Sequence, residues 1–257
     1  MATIRCAGHT FSSIEGVLFD KDGTLAEVEG YLKVLGDARC QLLYGKSVAS
    51  LRSRAFLQAA FGLSDGQLDP AGQLAVGSRQ ENEVAAAAVL AADGWGWMAA
   101  LEAARDAVCE AEQGLAPKAE KTSLIAGATS LIARLKDAGL TVGIVSADLH
   151  REVEAFIASY DLSEIDWFWG AGDGHMPKTH SEFLRFACGE LEGEGAIAPQ
   201  SVLVIGDSAS DLCVAKQGAA GFVAMTGGWT APPVIDFEGA DCAISVINRL
   251  DQVEVFA

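Results

Sequence analysis

Val17-Leu18-Phe19-Asp20-Lys21-Asp22-Gly23-Thr24-Leu25 is the stretch on which the fold reading turns. Its apolar opening suits a buried strand. It then places two carboxylates one residue apart and bends at Gly23. A strand delivers its last side chain to the sheet edge, so Asp20 and Asp22 can converge in a crevice at the carboxyl end of the strands. Open α/β sheets bind their ligands there. Two carboxylates that close repel each other unless a cation or a shared proton relieves them. The stretch therefore predicts a site for chemistry as well as a strand.

Beyond residue 120, helical and strand patterns alternate. Leu124, Ile125, Ala128, Leu131, Ile132 and Leu135 have helical spacing, and Gly139 ends that run before an apolar strand over 140–145. Residues 151–160 return to a helix, 167–169 make a short strand, 170–174 a Gly-rich loop and 181–188 a helix. Ser201 opens a near-continuous apolar strand over 201–205 that ends at Gly206-Asp207. A helix over 211–217 leads to a strand over 222–225. The tail with Ile244, Val246, Ile247 and Leu250 suits a last helix or a short strand–helix edge. Near-continuous apolar strands separated by helices predict an α/β protein, a Rossmann-like, mostly parallel sheet flanked by helices.

The segment 27–118 breaks that rhythm. It is rich in Ala, Leu, Glu and Gln and shows helical patterns over 31–44, 48–61, 80–92 and 95–112. Gly62, Gly66, Pro70, Gly72 and Gly77 mark a loop among them. The reading is a catalytic core of residues 1–26 and 119–257 with an all-helical cap, 27–118, inserted, hinged near 26–28 and 116–121. Without the insertion the carboxylate pair would lie open to water.

Bulk properties narrow the partners. The 257 residues are half apolar, enough for a sizeable core. Asp and Glu total 35 against 18 Lys and Arg, a net charge of −17, which disfavours nucleic acid and anionic membrane but not a small anion at a locally positive site. Six scattered cysteines form no CxxC pair and read as mostly buried, reduced thiols of a cytoplasmic protein. Residues 1–10 lack a leader-like apolar run, and the most apolar segment, 84–92, reads as an Ala-rich buried helix.

Four places bring suitable polar groups to strand ends or loops: Asp20 with Asp22; Ser146 with Ala147; Lys178; and Asp207 with Asp211 one helical turn on. A hydroxyl beside backbone N–H groups can hold phosphoryl oxygens, and a lysine can offset the charge of both a phosphate and a carboxylate. Singly these residues are ordinary caps and turn formers. In this order, at one edge of one sheet, they form a constellation.

The segments Phe19-Asp20-Lys21-Asp22-Gly23-Thr24-Leu25, Ile144-Val145-Ser146-Ala147-Asp148, Lys178 and Ile205-Gly206-Asp207-Ser208-Ala209-Ser210-Asp211 resemble the motifs of the haloacid dehalogenase-like hydrolase superfamily. The branch resembled is the one with a helical cap, and its flavour is phosphoglycolate phosphatase-like. The resemblance implies a phosphomonoester hydrolase in which Asp20 is the nucleophile and forms an aspartyl-phosphate, with Asp22 as acid and then base. Ser146, the Ala147 amide and Lys178 would clasp the phosphoryl group. Mg²⁺ would be held by Asp20, the Asp22 carbonyl and Asp207, with Asp211 one layer out, on a water of the ion or on Lys178. Mg²⁺ prefers hard oxygen donors, in keeping with an all-carboxylate cluster.

The implied partner is a small phosphorylated metabolite, with phosphoglycolate, sugar phosphates and nucleoside monophosphates as candidates and monomer or homodimer both open. A sugar-phosphate mutase on the same scaffold and a catalytically weak metabolite-binding protein are the alternatives. Some residues depart from the usual pattern: Lys21 follows the first aspartate, Asp148 follows Ser146-Ala147 and reads as a helix cap, and Pro177-Lys178-Thr179-His180 lacks Gly-Lys-Pro. His150, His175 and His180 read as loop histidines, and Trp95 and Trp97 as packing between cap helices. Lys33, Lys46, Arg52 and Arg54 are candidates for reading a second anionic group of the substrate.

Overall fold

Alternating and continuous apolar runs sort into a three-stranded and a six-stranded sheet, with two two-stranded ribbons besides. The computed structural model describes residues 1–46, 51–172, 174–190 and 197–257. The chain begins with β1 (Ala2–Cys6) and β2 (His9–Ile14), joined by Ala7 and Gly8, both at positive φ, the signature of a tight hairpin turn. Ala2, Ile4 and Cys6 point inward and Thr3 and Arg5 do not, so β1 obeys the two-residue period that sequence reading passed over. After β3 (Gly16–Asp20), the two-residue β4 (Ala26–Glu27) leads out of the core.

The inserted segment follows: α1 (Glu29–Lys46), α2 (Leu51–Ala60), β5 (Leu63–Ser64), β6 (Gln67–Leu68), α3 (Gln73–Val76), α4 (Arg79–Ala92), α5 (Trp97–Gln113) and α6 (Lys118–Lys121). It is helical as expected, with a two-residue ribbon, β5–β6, in the glycine-marked loop. Ser78 starts α4 with a capping box to Glu81, and Ala86, Ala87 and Leu90 are buried along it. Residues 48–50, included in the sequence-based helix 48–61, lie outside the described residues.

The core resumes with β7 (Ser123–Leu124), which pairs antiparallel with β4, and continues through α7 (Ala128–Asp137), β8 (Thr141–Leu149), α8 (His150–Ser159), β9 (Trp167–Ala171) and α9 (Phe183–Glu190). Then come β10 (Val202–Gly206), α10 (Ala209–Ala215), β11 (Gly221–Met225), β12 (Ala243–Ile247) and β13 (Glu254–Phe256). The helix expected over 124–137 thus starts at Ala128, because Ser123 and Leu124 pair with Glu27 and Ala26. The tail resolves as strand β12 and a terminal strand, β13, that pairs with β1.

The main sheet has the order β12-β11-β10-β3-β8-β9, every pair parallel. Consecutive strands run outward from β3 on one side and outward from β10 on the other, so the order reverses between these two neighbours. All five residues of β3, β10 and β11 are buried, as a sheet covered on both faces requires. On one face Leu18, Val204 and Phe222 pack with Phe183, Leu184 and Ala187 of α9 and with Leu212 and Val214 of α10.

The chain divides into two compact units, residues 1–27 with 123–257, and residues 28–122. The sequence-based boundaries, 26/27 and 118/119, compare with 27/28 and 122/123 between these units, and the helical turn Lys118–Lys121 goes with the inserted one. All six cysteines are free, but only Cys6, Cys40 and Cys188 are buried, and Cys213 is exposed. Trp97 is also exposed, at 47%, rather than packed, since it sits on the first turn of α5. Among the described residues no helix is long and apolar enough to cross a membrane.

Candidate active site

Three adjacent strands, β10, β3 and β8, end where the strand order reverses. Asp20 is the last residue of β3 and pairs with Val145, immediately before Ser146. Asp207 follows the last residue of β10. The register therefore brings Asp207, Asp20 and Ser146 side by side across three strands. Ser146, 6% exposed, lies where the β8–β9 pairing shifts between Val145 and Leu149, and its Oγ accepts from the Asp148 amide at 3.1 Å.

The turn after Asp20 is closed by its own backbone: the Lys21 carbonyl accepts from the amides of Leu25 and Ala26, both at 2.9 Å. Gly23 stands at φ +79° with no room for a side chain, since a Cβ there would lie 2.2 Å from Trp229 Nε1 and 2.5 Å from Asp207 Oδ2. Buried Thr24 donates to Asp207 Oδ1 at 3.1 Å, and the Trp229 indole donates to Asp207 Oδ2 at 2.6 Å. Each Asp207 oxygen is thus fixed by a neutral donor and keeps a further lone pair.

Asp211 is fully buried on α10. Its Oδ2 accepts from the Ser208 amide at 3.0 Å and the Ser208 hydroxyl at 2.5 Å, while Oδ1 accepts from Lys178 at 2.9 Å. Lys178 also donates to Asp20 Oδ1 at 2.7 Å. One ammonium therefore bridges two buried carboxylates. The loop holding Lys178 lacks Gly-Lys-Pro but is fastened otherwise: Trp169 Nε1 donates to the Met176 carbonyl at 2.9 Å, and His175 Nδ1 bonds the Gly170 carbonyl at 2.8 Å. His175 also stacks on Trp169, and His150 stacks on Phe168.

Carboxylate oxygens of Asp20, Asp207 and Asp211 lie within 4.8 Å of one another, all in buried residues. An all-oxygen donor set of this charge and size fits a hard divalent cation such as Mg²⁺ better than a soft metal. The electrostatics agree. Burial, reinforced by the Asp211 and Asp22 charges and opposed by Lys178, pushes Asp20 up to about 7. Burial and the charges of Asp20 and Asp211 also raise Asp207 well above the ordinary carboxylate range, against the Trp229 hydrogen bond. Burial pulls Lys178 down, but the Asp20 and Asp211 carboxylates outweigh it and hold the ammonium charged.

Two departures from the usual motif find partners in each other. Lys21 is buried, its ammonium paired with Asp22 Oδ1 and, at 2.9 Å, with Asp148 Oδ2. Asp148 is therefore not simply a helix cap; Leu149 is the N-cap of α8 and makes no side-chain cap. His180 is a loop residue whose Nδ1 accepts from the Glu182 amide. On the inserted unit, Lys33 is engaged by Glu29 and Gln67, Arg54 is exposed, and the side chains of Lys46 and Arg52 lie outside the described residues.

Sequence reasoning missed Thr24, Trp229 and Ser208. Thr24 and Ser208 could have been found as hydroxyls beside the motif aspartates. Trp229, after a Gly227-Gly228 pair, carried no local signal.

This strand order, with buried aspartates at its switch point and an inserted helical unit after the first of them, defines an open α/β enzyme class built around a carboxylate site. The chain belongs to the haloacid dehalogenase-like hydrolase family, whose model matches residues 14–218. It is similar in structure to a haloacid dehalogenase-like family hydrolase from Streptococcus pneumoniae (13% identity, 93% of this chain and 97% of that one, TM-score 0.62). A protein from Haemophilus somnus named as a predicted phosphoglycolate phosphatase aligns at 15% identity over 93% and 96%, with TM-score 0.62. A dehalogenase aligns at 19% identity over 94% and 96%, with TM-score 0.55. At such identities the likeness establishes the shared fold. No curated protein shows a significant match.

Proposed function

We propose that this protein is a Mg²⁺-dependent phosphomonoester hydrolase that acts on a small soluble metabolite through an aspartyl-phosphate, with phosphoglycolate-like monoesters the first candidates and the cytoplasm its compartment. The observation that carries the reading is the buried Asp20–Lys178–Asp211 bridge beside Asp207, at the switch point and one strand from Ser146. A site holding three carboxylates to one ammonium is built for a cation and an anionic group together.

In this reading Asp20 attacks phosphorus. The Asp20 oxygen–phosphorus bond forms as the bond to the leaving alkoxide breaks, and the alkoxide takes a proton from Asp22. Asp22, now a carboxylate, removes a proton from the water that hydrolyses the aspartyl-phosphate, which regenerates Asp20 and releases phosphate. Ser146 and the Ala147 amide hold phosphoryl oxygens and Lys178 balances their charge, itself oriented by Asp211. Asp20, the Asp22 carbonyl and Asp207 would hold Mg²⁺, with Asp211 behind them. The bound ion shields the two anions from each other and stabilises charge on the transferring group.

Dehalogenation is disfavoured, because carbon–halogen cleavage by an aspartate has no use for Asp22 as a proton donor or for the Asp207 cluster. The test is phosphate release from p-nitrophenyl phosphate and a panel of metabolite monophosphates, with Mg²⁺ and with EDTA, on wild type and Asp20→Asn. Metal-dependent release lost in the variant is expected. Absence of release from folded, Mg²⁺-binding protein across the panel would overturn the reading.

A further inference from the structure

Lys21 is a charged side chain buried in the core, 2% exposed, and the mechanism above makes no use of it. It follows the nucleophile, at the end of β3, yet its ammonium reaches neither Asp20 nor the Lys178 bridge among the contacts described. It pairs instead with Asp22 Oδ1 and Asp148 Oδ2, and lies 5.4 Å from the centre of the Phe156 ring on α8. Phe156 is itself 1% exposed. The lysine thus has a cation–π floor and two carboxylates, one on the loop after β3 and one beside Ser146. Burying an ammonium is costly without such partners.

We propose that Lys21 and Asp148 form a positioning pair that sets the side chain of Asp22 for proton delivery to the leaving group. The proposal rests on the reading of Asp22 as the acid. With Oδ1 fastened to Lys21, Oδ2 is the oxygen that delivers the proton in this reading, and the carboxyl cannot rotate freely about its Cβ–Cγ bond. Fixing one oxygen fixes where the other points, which is the requirement for a proton donor that must meet an oxygen departing along one line.

Asp148 anchors the ammonium from the other side. With Asp148 2.9 Å away as well, the ammonium is held from both sides, so its position against Asp22 is fixed. The step itself is unchanged: as the phosphorus–oxygen bond breaks, its electron pair goes to the alkoxide, and the Oδ2 proton moves to that oxygen. The pairing also accounts for two motif departures at once, because a lysine after the nucleophile and an aspartate after Ser146-Ala147 are charge-complementary halves of one contact.

The test uses leaving groups of different need. Nitrophenolate departs without a proton, whereas an alkoxide requires one. First-turnover phosphoenzyme formation is compared for p-nitrophenyl phosphate and for 2-phosphoglycolate or, if faster, glycerol 3-phosphate, using wild type, Asp22→Asn, Lys21→Met and Asp148→Asn. Lys21→Met and Asp148→Asn are expected to slow the alkyl substrate by about 30-fold or more and the nitrophenyl substrate by less than about 5-fold, within the range of general acid catalysis. A merely structural role would slow both alike.

Equal slowing of both substrates, or no slowing, in the two variants while Asp22→Asn shows the leaving-group preference overturns the positioning pair and leaves the acid role standing. No such preference in Asp22→Asn overturns the acid role itself. Asp148 is partly exposed, so its variant decides the matter even if Lys21→Met does not fold.

Discussion

The two units bury charge in contrasting ways. In the inserted unit Arg39, 4% exposed, pairs with Glu112 at 3.0 Å; Arg79 reaches Glu112 at 3.1 Å and Glu83 at 3.5 Å, and Arg105 reaches Glu83 at 3.5 Å. Cation and anion alternate, and the cluster knits α1, α4 and α5 together. In the core, Asp20, Asp207 and Asp211 face one ammonium, Lys178. Each of these carboxylates has guanidinium partners, which leaves nothing for a cation to do. Unmatched buried charge is held in place by the surrounding fold against its own repulsion, and a cation relieves it.

The largest expected effect breaks the core side of this contrast. Asp20→Asn removes the proposed nucleophile and one of the repelling charges, so phosphate release is expected to fall by roughly 10⁴-fold or more. The melting temperature of the metal-free protein is expected to stay level or rise. A variant that loses activity together with fold would remove the distinction drawn here.

On the other side, Arg39→Met leaves Glu112 short of its buried partner and is expected to lower unfolding free energy by about 3 kcal/mol, read by urea titration. The paired change Arg39→Met with Glu112→Met recovers much of that loss, because no charge is left unpaired in the interior: Arg79, partly exposed, loses its Glu112 contact but keeps Glu83. Marked stability loss from the paired change would mean the cluster does more than satisfy itself.

Trp229→Phe keeps a ring against Gly23 and removes the N–H that fixes Asp207 Oδ2. Loss of a donor that orients a carboxylate of the proposed metal site is expected to weaken Mg²⁺ binding by about 10-fold, measured by titration calorimetry. An unchanged affinity would show that Thr24 and the backbone suffice to hold Asp207.

The smallest effect is a pH dependence. Folded Asp20 is raised to about 7 from an ordinary value of 3.8. Between those values the unfolded chain has released a proton that the folded chain retains, so unfolding is favoured as pH rises through the window. Metal-free protein in EDTA should be most stable near pH 4 on this account and lose that contribution towards pH 7. Mg²⁺ binding needs the carboxylates deprotonated, so the stabilisation by Mg²⁺ should be larger at pH 8 than at pH 6. Thermal melts across pH, with and without Mg²⁺, read both trends.

Much of this was legible in local pattern. The apolar runs ending at Asp20, Val145 and Gly206 marked three buried strands, and their lengths and intervening helices called for parallel pairing. The same pattern failed for β1 and β2, where alternation was present but short, and for β13, whose pairing with β1 joins opposite ends of the chain. Trp97 and Cys213 were read as packed or buried from residue type alone, and type does not say which face of a helix a position occupies.

The sequence by itself determined the class of fold, the helical insertion and the identity of the polar residues at each strand end, because those follow from periodicity and turn chemistry within a dozen residues. Only the tertiary structure decided which of them meet. Lys178 could have been a solvated loop residue until it bridged Asp20 and Asp211, and Trp229 had no assignable role until its indole reached Asp207. Lys21 and Asp148, two oddities 127 positions apart, became one ion pair. Such contacts depend on sheet register and on how loops settle at its edge, and neither is written in any local stretch of the chain.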